Sequence, residues 1–379
     1  MNLLLAFLTL ASVASAAYLL TCLIDADSSV DFLLHLFVFG TGVVILSGYA
    51  ASQFQRFNQL SVWLLATLLI LAPILLVVMF NRNLRKRCLS ARWLAGFTSW
   101  RSIFKEPQTT SFERWVAGLS VASLLILGLV NLWIIFRLVP FDWDSMEYHL
   151  ARMAYYLQQG SLANYDPNYW AQVVHPKNSP ILLAFLYLIS GRNEHLTQLM
   201  QYGAYWAAVL GIYAIARLVR FRRIESLFSA AVFGLFIQCL MQATITLNDM
   251  LVTAYVGMVA YFLLHYGVRR RWTDLGMVGL SLGLLLGVKS SALLALPALG
   301  LLTGYSLLHY KLHTSGYLKA TMGLSLGIAL GMLLFTLPAG YLENYRIYGD
   351  PLGPQEVLTE HSFEGEGLGF RSGIPSAMG

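Results

Sequence analysis

Charge is what this chain has least of. Only 25 Lys and Arg and 19 Asp and Glu occur among 379 residues, 12% of the total, against 57% hydrophobic residues. So few charges cannot clothe so much apolar surface in water, which excludes a soluble globule. Cysteine is scarcer still. Cys22, Cys88 and Cys239 are the three present, and they imply neither a disulfide framework nor a thiolate metal cluster. A basic leader is lacking as well: the apolar run at 2–24 has no Lys or Arg before it and is long for a signal sequence. It therefore reads as a span, despite the small residues from Ala14 to Ala17. No internal repeat relates two halves of the chain, which weighs against a transporter built on repeated bundles.

What the chain does have is apolar runs of membrane length. They fall at about 2–24, 31–51, 60–80, 115–138, 198–219, 226–244, 250–267, 273–288, 290–309 and 318–340, most of them near the roughly 20 residues a helical span needs. The expected fold is an all-α polytopic transmembrane bundle of about ten spans, with short interfacial helices in an outer loop. The formal net charge of +6 does not imply a nucleic-acid partner. The surplus sits in loops: Arg82, Arg85, Lys86, Arg87, Arg92, Arg101, Lys105 and Arg114 in one, Arg220, Arg222 and Arg223 in a second, Arg269, Arg270 and Arg271 in a third. Basic loops stay cytoplasmic, so all three are placed on one side.

That sidedness organises the chain into a three-span N-terminal extension at 1–80, a basic cytoplasmic loop at 81–114, a transmembrane core at 115–340 with an outer loop at 139–197, and an outward-facing segment at 341–379. The first three spans show no interior charge in this reading and are assigned a scaffold role. Residues 180–190 are apolar but only about 11 long, half a span, so a helix that dips into the outer leaflet or lies at the interface is expected there.

Polar residues converge at the outer ends. The loop after 115–138 holds Asp142, Asp144, His149 and Arg152, and Leu150, Met153, Ala154 and Leu157 recur at helical spacing. Asp144 or Ser145 is placed to cap that helix, which leaves Asp142 as the better candidate base. Two acids, an imidazole and a guanidinium at a membrane surface suit the handling of an anion. Gln242, Thr244, Thr246, Asn248 and Asp249 end the run at 226–244, and Lys289 separates two later runs. An ionisable group at membrane depth is a functional candidate. A turn-rich cluster follows the last span, with Glu343, Asn344, Arg346 and Asp350 among Gly and Pro.

The run ValProPheAspTrpAspSerMetGluTyrHisLeuAlaArgMetAlaTyrTyrLeuGlnGlnGlySerLeuAlaAsnTyr at 139–165 resembles the first outer loop of GT-C fold membrane glycosyltransferases. That superfamily includes the protein O-mannosyltransferases and the lipid A aminoarabinose transferases. HisProLysAsnSerPro at 175–180, ThrLeuAsnAspMet at 246–250, GlyValLysSerSer at 287–291 and AsnTyrArgIleTyrGlyAspProLeuGlyPro at 344–354 extend the resemblance over roughly 115–355. It implies a bundle of GT-C type that transfers a sugar from a polyprenyl-phosphate donor to a lipid, glycan or protein acceptor. The work is done on the outward face of a bacterial inner membrane. It also implies an essential acid at Asp142 or Asp144, a second at Asp249, and in some branches a divalent cation (Mg or Mn) held by such acids. Phosphate would leave toward Arg152, Lys289 or Arg346, with His149, His175, Lys177, Asn248 and Asp350 supporting. The partners implied are the lipid-linked donor and membrane lipid. The alternatives are a transporter or flippase of lipid-linked saccharides and a noncatalytic subunit of a glycosyltransferase complex.

Overall fold

The computed structural model describes residues 3–90, 109–309 and 314–354, and every regular element among them is helical. Eight helices are long and apolar enough to cross a membrane, which makes this a multi-pass membrane protein. Three come first: α1 (Leu3–Leu23), α2 (Ser29–Gln53) and α3 (Leu60–Phe80), followed by a basic helix α4 (Arg82–Leu89). Helix α5 (Ser111–Arg137) starts at a capping box in which Thr110 and Glu113 exchange side-chain and backbone bonds. A π turn at Ser145–His149 then leads into α6 (Leu150–Gln159), α7 (Ala171–Val174) and α8 (Asn178–Ile189). After a 3-10 turn come α9 (Leu199–Leu218), α10 (Arg223–Gly234), α11 (Ile237–Gln242), α12 (Asp249–Arg269) and α13 (Trp272–Val288). The last helices are α14 (Leu296–His309), α15 (Thr314–Gly331) and α16 (Tyr341–Tyr348).

Helix ends gather on two faces. On one, Arg87 reaches Asp25 (3.4 Å), Arg269 reaches Asp27 (3.0 Å) and Arg222 reaches Glu113 (2.5 Å). The three basic loops thus share a face, as their charge predicts. On the other, the Phe57 amide donates to the Gly160 carbonyl (2.8 Å) and the Leu162 amide to the Ser52 hydroxyl (2.8 Å). Arg92, Arg101 and Lys105 of the expected basic loop, and 355–379 of the expected outward segment, lie outside the described residues.

The expected ten spans become eight long helices and two exceptions. The run at 226–244 is broken at Leu235 and Phe236 into α10 and α11. Neighbours take over the backbone groups there: the Tyr205 hydroxyl donates to the Gly234 carbonyl (2.9 Å) and the Asn131 amide to the Leu240 carbonyl (2.9 Å). The run at 273–288 is one helix of 17 residues, about 26 Å long against a hydrocarbon core of roughly 30 Å. It lies parallel to α15 along a glycine seam, Gly279 and Gly283 against Gly327 and Gly331. A Cβ on Gly279 would fall 1.9 Å from the Gly327 carbonyl carbon, and one on Gly331 would fall 1.9 Å from the Gly279 oxygen. Only glycine permits that approach, and close backbone packing is what binds helices where lipid leaves no hydrophobic drive.

Two further expectations are corrected. The first three helices do not form an appended unit, because one continuous core runs from Val13 and Ile45 through Ile181 and Tyr255 to Phe335. Nor do they lack interior charge. Asp31 and His35 on α2 are each 1% exposed and belong to a network with α12 and α13. Tyr261 donates to Asp31 (3.0 Å), His265 lies 3.0 Å from Asp274 and 3.3 Å from Asp27, and Arg269 and Arg271 pair with Asp27. The short segment at 180–190 is a 12-residue helix, α8, as its length predicts. It is enclosed by protein: Asn178, Ile181, Leu183 and Ala184 are buried, and the Asn178 amide donates to the Phe335 carbonyl (3.1 Å).

Candidate functional site at the head of helix α12

The outer loop and the loop before α12 meet through one serine. Ser145 donates its amide to Asp142 Oδ1 (2.9 Å) and its hydroxyl to Asp142 Oδ2, while the same hydroxyl accepts the Thr246 amide (3.2 Å). Asp142 is therefore the cap, and both its oxygens are engaged. Asp144, expected to be the cap, makes no capping bond and is exposed. The reason lies in the local geometry: the helix already begins at Trp143, and Asp144 has helical backbone angles, so Asp142 is the residue before the first turn and its carboxylate reaches the Ser145 amide three residues on.

Asp249 is the first residue of α12, where a carboxylate meets the positive end of the helix dipole. Lys289, just past the end of α13, places its ammonium 2.7 Å from Asp249 Oδ1. The two are 39% and 33% exposed, so the pair stands open to a ligand. Asn248 braces the junction by donating to the Val288 carbonyl (3.1 Å), while its own side-chain oxygen is buried with no partner.

Tyr148 and His149 stand between these groups, with ring centroids 4.0 Å apart. His149 is 3% exposed, and its Nε2 has no hydrogen-bond partner. Burial pushes its pKa well below the ordinary value, and the charges of Arg152, His175 and Lys289 push it further down. Burial raises the Tyr148 phenol, and Asp144 and Asp249 add to the rise. Those shared influences bring Asp144, Asp249, Arg152, His175 and Lys289 into electrostatic reach of one pair of rings. The rings continue outward: His175 lies 5.6 Å from Tyr148 and 5.3 Å from Trp170, which lies 5.3 Å from Tyr169.

The remaining candidates take other places. Arg152 is 2% exposed and spends its guanidinium on Tyr156 (3.0 Å) and on the Pro176 (2.9 Å) and His175 carbonyls. It clamps the turn that carries His175, and its charge reaches the site only through space. Lys177 is buried, donates to the Leu162 carbonyl (2.8 Å) and pairs with Glu343, so it staples α16 to the outer loop. Asp350 accepts the Leu352 amide (2.7 Å) in a turn, and Arg346 is exposed on α16. Tyr148, Tyr169 and Trp170 were not singled out from the sequence. Their signal was the density of aromatic residues between Tyr148 and Trp170.

Asp142 and Asp249, two of the acids expected to hold a divalent cation, are each engaged by another side chain, Ser145 and Lys289. Among the described residues no group of three or more His, Cys, Asp and Glu converges on one point. No family model, curated protein or solved structure matches the chain.

Proposed function

We propose that the protein transfers a sugar from a polyprenyl-phosphate donor to a hydroxyl acceptor on the non-cytoplasmic face of the membrane. One observation carries the reading: an open acid–lysine pair, Asp249 and Lys289, beside a free carboxylate, Asp144, with a line of aromatic rings from His149 to Tyr169 alongside. Aromatic faces suit the apolar side of a sugar ring, and the ammonium suits the phosphate.

In this mechanism the acceptor oxygen attacks the anomeric carbon as the bond from that carbon to the phosphate oxygen breaks. The acceptor proton passes to the Asp144 carboxylate, and the bonding pair leaves with the lipid phosphate, whose growing charge Lys289 meets. Configuration inverts in the single displacement. Asp249 holds Lys289 in place, Asp142 fixes the turn that carries Asp144, and no step passes through a metal ion.

The test is sugar transfer by the purified protein in lipid from a polyprenyl-phosphate donor, compared with Asp144→Asn and Lys289→Ala at equal folded amounts. Loss of transfer in both supports the reading. Transfer unchanged in both removes it, and movement of intact donor across vesicles without transfer assigns the protein to the flippase class.

A further inference from the structure

Helix α6 has a second face that the proposed chemistry does not use. Arg152 and Tyr156 point toward the polar site, whereas Met146, Leu150, Met153, Ala154 and Leu157 line a cavity of about 590 Å3 against Tyr187 and Leu188 of α8. That volume falls within the roughly 300–1,000 Å3 of small-ligand sites. The wall supplied by the 10-residue α6 is about 15 Å long, half of the roughly 30 Å hydrocarbon thickness and so the depth of one leaflet.

The rim is polar and carries both signs of charge. Arg192 and Glu194 both line the cavity, both are exposed, and neither is ion-paired to the other or to any other described residue. Arg192 is held at φ 66°, in the left-handed region, by its amide bond to the Tyr187 carbonyl (2.7 Å), a conformation that a non-glycine residue adopts at a cost. Phe141 and Trp143, 76% and 77% exposed, precede Met146 in the stretch between α5 and the π turn. Exposed aromatic residues just beyond a span suit the membrane–water boundary, and on that basis the cavity mouth is assigned to headgroup level.

We infer that the α6–α8 cavity is a binding site for a zwitterionic phospholipid, with an acyl chain between the two helices, the phosphate at Arg192 and the ammonium at Glu194. A lipid bearing only negative charge would leave Glu194 opposed to its headgroup. The site is independent of glycosyl transfer and lies on the opposite face of α6 from Tyr156 and Arg152.

Thermal unfolding of the full-length protein in detergent, with phosphatidylethanolamine, phosphatidylglycerol or a polyprenyl phosphate added, tests the assignment. Phosphatidylethanolamine should raise the midpoint by about 2 °C or more through binding to the folded state, and the two anionic lipids should not. Ala154→Trp fills the groove and should abolish the shift; Arg192→Gln with Glu194→Gln should erase the preference for the zwitterion. Equal shifts from all three lipids, or a phosphatidylethanolamine shift that survives both variants, would overturn the inference. So would a preference for polyprenyl phosphate, which would give the groove to the donor. Should Ala154→Trp fail to fold, the double variant, confined to exposed side chains, decides the matter alone.

Discussion

Helix α12 carries an ionisable cluster at each end, and the two are built to opposite specifications. At its head, Asp249 and Lys289 are about one-third exposed, Asp144 has no capping bond, and His149 and Asn248 bury polar atoms without partners. At its foot, Asp31, Asp274 and His265 are almost fully buried, and each carboxylate meets a tyrosine, an imidazole or an arginine. A buried network of ion pairs fixes structure even where one atom, His35 Nε2, has no partner, whereas groups left open to a ligand are free to act on something else. Position along the same helix does not decide the role of an acid; the state of its partners does.

The largest expected effect lies at the foot. Asp274→Ala leaves His265 facing one carboxylate in place of two, and breaking a buried pair costs about 3–5 kcal/mol. Chemical unfolding in detergent should show that loss, while the rate of the proposed sugar transfer, per molecule that remains folded, stays unchanged. A lowered rate per folded molecule would break the division between the two ends.

At the head the expectation reverses. Asp144→Asn should leave the unfolding midpoint in place and slow transfer by about 100-fold, the scale of a lost proton acceptor and about 2.7 kcal/mol of activation free energy. Asp142→Asn keeps an oxygen for the Ser145 amide and should slow transfer far less, so the ratio of the two rates distinguishes base from cap. Gly279→Ala, in the seam between α13 and α15, should cost about 1–3 kcal/mol by overpacking. Because α13 bears Asp274 at one end and precedes Lys289 at the other, this substitution alone should disturb stability and transfer together.

The smallest effect is the pH response of His149. Its folded-state pKa lies below the ordinary His value, so near pH 6 the unfolded chain binds more protons than the native one. Stability is therefore complete above about pH 6.5 and falls as the pH drops below it, by at most about 1.4 kcal/mol per unit. His149→Gln should flatten that slope in unfolding curves recorded from pH 5 to 8, and an unaltered slope would assign it to another group.

Much of this was legible in the sequence because membrane length and charge bias act locally. Apolar runs of span length became the eight long helices, and the three basic loops share a face. The 11-residue run at 180–190 became a short helix, since too few residues were present to cross. Two features depended on partners far along the chain. The break at Leu235 requires the Tyr205 hydroxyl, 29 residues from the carbonyl it serves, and the end of α11 requires the Asn131 amide, 109 residues from Leu240. The burial of α8 and the interior charge of α2 likewise require α12 and α13 in place. At the site, Asp249 and Lys289 were visible as isolated charges near apolar ends. The choice between Asp142 and Asp144 was not, because it turns on the helix beginning at Trp143, before the first apolar residue of the spacing. Asp31 and His35 do stand four residues apart on one helix face, a spacing visible in the sequence itself.

The parallel seam also sets an order of events during synthesis. Helix α13 is too short to match the bilayer comfortably, and its glycine face offers lipid little to pack against. Its partner α15 runs in the same direction, so the chain must first cross back through α14, whose Leu301 and Leu308 remain at the surface. Until that return is complete α13 has no matching backbone to meet. The glycine face of α13 is therefore covered late, when α15 arrives, whereas Asp274 and Lys289 meet partners already present on α12.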